Sequence, residues 1–170
     1  MQYYPVSSTG VKDVPICQYL DSRLPLLAAV WGFDDRETLN RILLGHYIIM
    51  YEPFYYKGHL SDFPLTLAYG RKIDALRRKY QAYLWDAEFR DTLGAKVTAN
   101  GAVRYSVFAT ATGKRAVVVV NEDFSKALEA KVQLADAGKL MMATPERPEA
   151  QSTTGTLQVP ARSAVVVMEQ

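Results

Sequence analysis

The sequence predicts an α+β chain, with a partial (β/α) barrel-like segment over residues 1–94 and an antiparallel β-sandwich over 95–170. Three observations predict it. Arg115-Ala-Val-Val-Val-Val-Asn121 is an apolar, β-branched run too short for a useful helix, and reads as a strand buried on both faces. The stretch 163–168, Ser-Ala-Val-Val-Val-Met, repeats that character near the end of the chain. Between residues 34 and 84, in contrast, apolar residues recur at helical spacing around one short apolar run.

In the second half, 105–111 lies just before the central run, and Ala111-Thr112-Gly113-Lys114 offers the turn between them. Asn100-Gly101 suits a tight hairpin, which would pair 95–99 back on 103–108. Residues 127–134 alternate as a strand, 136–138 turn the chain, and 139–143 form another strand. The stretch 144–155, rich in Pro, Glu, Ser and Thr, reads as a loop, and 157–159 leads through Pro160 to the last strand. About seven short strands separated by turn signals make a sandwich.

In the first half, 14–20 reads as a strand opened by a proline. Residues 24–33 suit a strand or a buried helix. Asp34 and Glu37 suit a capping box at the start of a helix whose face carries Leu39, Ile42 and Leu43. Gly45 is placed to stop that helix in the left-handed conformation. The run 47–51 reads as a buried strand, with a helix continued through Gly45 as the alternative. Residues 52–61 form a loop. Ser61 or Asp62 caps a second helix, with Pro64 in its first turn. Its apolar face carries Tyr69, Ile73, Leu76, Tyr80, Tyr83 and Leu84, and Arg71, Lys72, Asp74, Arg77, Arg78 and Lys79 take mainly the solvated face. Two strand-plus-helix units side by side are pieces of a parallel layer, too few to close a barrel of eight such units and about 250 residues.

Composition limits function. Of 170 residues, 49% are hydrophobic and 22% charged, which is ordinary for a folded globular chain, and a net charge of +2 gives no reason to expect nucleic acid or an anionic membrane as partner. The longest apolar run is about half of the ~20 residues that a spanning helix needs. The first residues lack the basic and apolar regions of a secretory signal, and no compartment is assigned. A single cysteine, Cys17, excludes an internal disulfide and a cysteine metal cage, and reads as a buried inert thiol. No zinc-type spacing, phosphate-binding glycine loop or nucleophile elbow is present, so no metal or cofactor is expected.

Tyr51-Glu52-Pro53-Phe54, then the stretch 62–70 (Asp-Phe-Pro-Leu-Thr-Leu-Ala-Tyr-Gly), then 84–91 (Leu-Trp-Asp-Ala-Glu-Phe-Arg-Asp), look like the last strand, loop and helix of a bacterial glycoside-hydrolase-like (β/α)8 barrel. Val159-Pro-Ala-Arg-Ser-Ala-Val-Val-Val167 resembles the close of the β-sandwich that follows such barrels, and the run 115–121 resembles its middle strand. The resemblance covers the chain from about residue 14 onward. It implies the C-terminal portion of a carbohydrate-active enzyme whose catalytic carboxylates sit mostly on earlier strands, so none is carried over and no catalytic residue is assigned. Such a portion would be inactive alone, would expose apolar strand edges, and would self-associate through its first half. The alternative is a non-catalytic carbohydrate-binding or structural β-sandwich module.

Within that resemblance, Glu52 stands at the end of a strand, where barrels place functional groups, and Asp21 is a second candidate strand-end carboxylate. Glycoside hydrolysis needs two carboxyl groups about 5 to 9 Å apart. Phe54, Tyr55 and Tyr56, with Lys57 and His59, form an aromatic, polar-edged loop suited either to stacking on sugar rings or to anchoring the loop. The candidate substrate-binding residues are therefore Glu52, Tyr55, Tyr56, Lys57 and His59. His46 reads as a structural histidine, and Trp31 and Trp85 as core or interface residues.

Overall fold

The computed structural model describes residues 5–6, 16–22, 24, 26–52 and 58–170. It is a mixed α+β chain with mostly antiparallel sheets and few helices, and no closed barrel is present among the described residues. The elements in order are β1 (Pro5–Val6), α1 (Ile16–Leu20), β2 (Leu27–Val30), α2 (Arg36–Gly45), β3 (Ile48–Tyr51), a 3-10 turn (Leu60–Asp62), α3 (Pro64–Lys79) and α4 (Gln81–Leu84). There follow β4 (Glu88–Phe89), β5 (Ala95–Ala99), β6 (Arg104–Ala109), β7 (Arg115–Asn121), β8 (Leu128–Leu134), β9 (Leu140–Ala143), β10 (Gln151–Thr153), β11 (Thr156–Val159) and β12 (Ser163–Glu169). No described helix is long and apolar enough to cross a membrane.

The first sheet is parallel, in the order β1-β2-β3, with Ala28 opposite Ile49 and Val30 opposite Tyr51. Helix α2 is the crossover that a parallel pair requires. Successive side chains on a strand alternate faces. Ala28 and Val30, with Ile49 and Tyr51, pack in one core with Leu39, Ile42 and Leu43 of α2 and Ile73 and Leu76 of α3. The opposite face carries Leu27, Ala29, Ile48 and Met50, none of which belongs to that core.

The larger antiparallel sheet has the order β10-β9-β12-β7-β6-β4, and the smaller has β11-β8-β5. The strand β7 is buried along nearly its whole length, as its uniform apolar character requires. Val117 and Val119 join Val165 and Val167 against Leu128, Ala130, Val132, Leu157 and Val159 of the smaller sheet. Ala116, Val118 and Val120, with Ala164, Val166 and Met168, face the other way, into the core of α2 and α3.

Several expectations are corrected. Residues 16–20 form a short helix, not a strand; Gln18 on it is buried and donates to the Gly45 carbonyl at 2.6 Å. The stretch 95–99 pairs with β8, not with 103–108. Neither Asn100 nor Gly101 takes a positive φ, so the tight hairpin does not form. The Asn100 side chain instead accepts the Glu129 amide at 3.0 Å and pins the crossing from one sheet to the other. The loop 144–155 contains a short edge strand, β10, paired with β9.

The capping box at Asp34 is replaced by one residue's shift. Asp35 occupies the N-cap, and Glu37 turns to Arg162 instead of reaching back. Gly45 remains helical, and His46 takes the left-handed conformation at φ 63°. Gly45 is required for another reason: a Cβ there would lie 2.3 Å from the Tyr47 ring. Phe63, not Ser61 or Asp62, is the N-cap of α3, with Pro64 at the first position as expected.

Arg77 is the largest departure. It is buried, at 2% exposure, and donates to the Tyr47 carbonyl at 2.7 Å and the Ile42 carbonyl at 2.6 Å. The last carbonyls of a helix have no partner within it. At the end of α2, the Ile42 carbonyl accepts the Tyr47 amide at 2.9 Å as well as Arg77 of α3, while Leu44 accepts Ser106 of β6 and Gly45 accepts Gln18 of α1. A cation at this end also matches the helix dipole.

Candidate functional site

Parallel layers carry ligands beyond the carboxyl ends of their strands. Here β2 ends at Val30 and β3 at Tyr51. The ladder continues one step further, because the Glu52 amide donates to the Val30 carbonyl at 2.9 Å. Trp31 and Glu52 are the residues that come next after the paired Val30 and Tyr51. Glu52 is 6% exposed and Trp31 is half-buried. Trp31 and Glu52 thus each follow a strand of the parallel sheet directly, in matching register.

The loop 31–35 that follows β2 is held tightly. The Asp35 carboxylate accepts the Trp31 amide at 3.1 Å, the Gly32 amide at 3.5 Å and the Thr38 hydroxyl at 2.5 Å. Thr66 of α3 donates its hydroxyl to the Gly32 carbonyl at 2.7 Å and accepts the Asp35 amide at 2.8 Å. Phe33 stacks on Phe63 with ring centres 5.0 Å apart. From the antiparallel region, Arg162 pairs with Asp34 at 2.7 Å and with Glu37. Hydrogen bonding to Glu37, against the opposing effect of burial and with added help from Asp34, holds the Arg162 guanidinium above its usual range.

Of the sequence candidates, Glu52 stands where expected, at the strand end. His59 is exposed, and its amide donates to the Asp62 carboxylate at 3.0 Å across the turn that leads into α3. Tyr55, Tyr56 and Lys57 lie outside the described residues. Asp21 is not at a strand end: it follows α1, and its amide donates to the Cys17 carbonyl at 3.0 Å. Trp31, read from the sequence as core or interface, is the further candidate that the sequence reading missed. The signal that could have found it is its position directly after an apolar run, matched to Glu52 after the next one. Cys17 is half-buried and packs against the core, where the sequence suggested a buried thiol. Among the described residues, no group of three or more His, Cys, Asp or Glu side chains is arranged to hold a metal.

A ring face and a carboxylate can take the apolar face and hydroxyls of a sugar. Asp34, Asp35 and Glu37 hold the loop in place, Asp35 by accepting the Trp31 amide and Asp34 and Glu37 by accepting from Arg162.

No protein-family model matches the sequence, and no curated protein matches it. Among solved structures, the chain is similar to glycoside hydrolases. One is a GH27 β-L-arabinopyranosidase of Geobacillus stearothermophilus, at 8% identity and a TM-score of 0.45, covering 82% of this chain and 31% of that one. Another is an apo exo-carrageenase, GH42, from Bacteroides ovatus, at 11% identity and a TM-score of 0.36, covering 85% of this chain and 22% of that one. The chain thus spans less than a third of either protein, and the likeness is weak.

Proposed function

We propose that this chain is the C-terminal portion of a glycoside-hydrolase-like, carbohydrate-active protein. Residues 1–94 supply the last strand–helix units of a partial barrel, and 95–170 a β-sandwich that supports them. The observation that carries this reading is the placement of Trp31 and Glu52 together at the carboxyl edge of a parallel sheet whose two main helices pack on one face. The portion binds sugar there and does not hydrolyse it alone, since one carboxylate cannot serve as both acid and nucleophile.

The test is a chemical-shift titration of the chain with methyl glycosides of common hexoses and pentoses. Shifts are expected around residues 30–33 and 51–52, with affinity reduced at least tenfold by Glu52→Gln or Trp31→Ala. Absence of shifts with every sugar, or shifts indifferent to both substitutions, would overturn the reading. Shifts confined to 95–170 would favour the alternative, a non-catalytic carbohydrate-binding module.

The same reading expects self-association through the first half. Ile16, Tyr19 and Leu20 on α1 are 78%, 59% and 82% exposed, more apolar surface than a lone short helix usually leaves in water. Sedimentation should show mass rising with concentration; a clean monomer throughout would count against it.

A further inference from the structure

We infer that Arg162 is a positioning residue for the loop 31–35, so that the antiparallel region sets the geometry of the sugar site instead of merely adjoining it. The inference rests on the sugar-binding reading above and adds the residue that orients the site.

Arg162 reaches across the chain to two carboxylates at the start of α2. One nitrogen donates to the Asp34 carboxylate at 2.7 Å; another donates to the Asp34 carbonyl and to Glu37, each at 3.1 Å. A planar guanidinium holds such a set in a fixed fork, which an ammonium cannot reproduce. Asp34 precedes Asp35, whose carboxylate binds the amides of Trp31 and Gly32. Fixing Asp34 therefore fixes the direction from which Asp35 holds Trp31.

The arm that carries Arg162 is itself braced. Arg162 sits at φ 52°, a conformation that side-chain-bearing residues rarely adopt, and its amide donates to the Asp123 carbonyl at 2.9 Å. Asp123 in turn accepts the amides of Ser125 at 2.8 Å and Lys126 at 2.9 Å. The Phe124 ring lies 5.4 Å from the guanidinium carbon. A strained residue held by a rigid turn and aimed at a loop beside the sheet edge is placed to position that loop.

The experiment compares wild type with Arg162→Ala, Arg162→Lys and Asp34→Asn by amide exchange, the indole NMR signals and the same glycoside titration. Arg162→Ala should raise exchange at residues 31–35 at least tenfold while β7 amides stay unchanged. It should move the Trp31 indole signal but not that of Trp85, and weaken sugar binding about tenfold. Asp34→Asn should produce the same pattern more weakly, and Arg162→Lys should leave most of the loss in place. Unchanged loop exchange and an unmoved Trp31 signal would overturn the inference, as would a freed loop with undiminished affinity. If wild type binds none of the sugars, the sugar reading fails, while the exchange and indole measurements still decide whether Arg162 holds the loop. If Arg162→Ala does not fold, Asp34→Asn alone decides.

Discussion

Arg77→Ala is expected to lower the unfolding free energy by about 3 kcal/mol, read from urea denaturation. Two charge-assisted hydrogen bonds, to the Ile42 carbonyl of α2 and to the Tyr47 carbonyl just beyond it, are lost, each worth about 1.5–3 kcal/mol. The buried Tyr47 carbonyl loses this donor, and the truncated stem leaves a cavity beside Trp85, over whose ring the guanidinium lies at 5.5 Å. Relief of the buried charge offsets part of this. Burial lowers the Arg77 pKa to about 10, against the raising influence of Asp74, and its Nε finds no partner. Arg77→Met keeps most of the volume and should cost less than Arg77→Ala. A loss under about 1 kcal/mol for Arg77→Ala would mean that the Ile42 and Tyr47 carbonyls find water or other donors without difficulty.

The second large effect is a dependence on pH. The His46 ring is T-shaped against Phe108 at 5.4 Å, and its Nε2 lies 2.8 Å from the Trp85 carbonyl. A carbonyl only accepts, so Nε2 carries the proton and the neutral ring donates it. Burial, then the charge of Arg77, pushes the His46 pKa down to about 4, although the Trp85 carbonyl and Asp86 act in the opposite direction. Between about pH 6.5 and 4 the unfolded chain therefore binds a proton that the folded chain refuses. Stability contributed by the neutral ring is fully present above 6.5 and is lost as pH falls toward 4, by an amount on the order of 3 kcal/mol at most. His46→Asn removes the titration and keeps a residue that tolerates the left-handed backbone. Denaturation midpoints measured from pH 7 to 4 should fall more steeply for wild type than for this variant. Parallel curves would place the acid sensitivity elsewhere.

Much of the fold was legible because the controlling signal was local. The buried strands β7 and β12, the alternation of β8 and the steps of four and three in α3 each declare themselves in their own residues. What escaped depends on distant neighbours. The alternation of 95–99 says that it is a strand but not that β8 is its neighbour. The charge of Arg77 suggests water, and only the open end of α2, thirty-odd residues away, explains why it is buried. Asp34 and Glu37 look like caps until Arg162 arrives from the far end of the chain. The same holds for the site. Glu52 could be placed from the strand before it, whereas Trp31 became a candidate only once the register of two strands showed that both residues come next after a paired strand end.

The larger antiparallel sheet serves as a party wall between two apolar compartments, since alternate valines of β7 face opposite sides. Neither compartment can be wetted without stripping cover from one face of that wall. Heating should therefore give one calorimetric peak, not two. Severing the chain near Gly94 would release not two stable pieces but one with a bare hydrophobic face and another with no surface to fold upon.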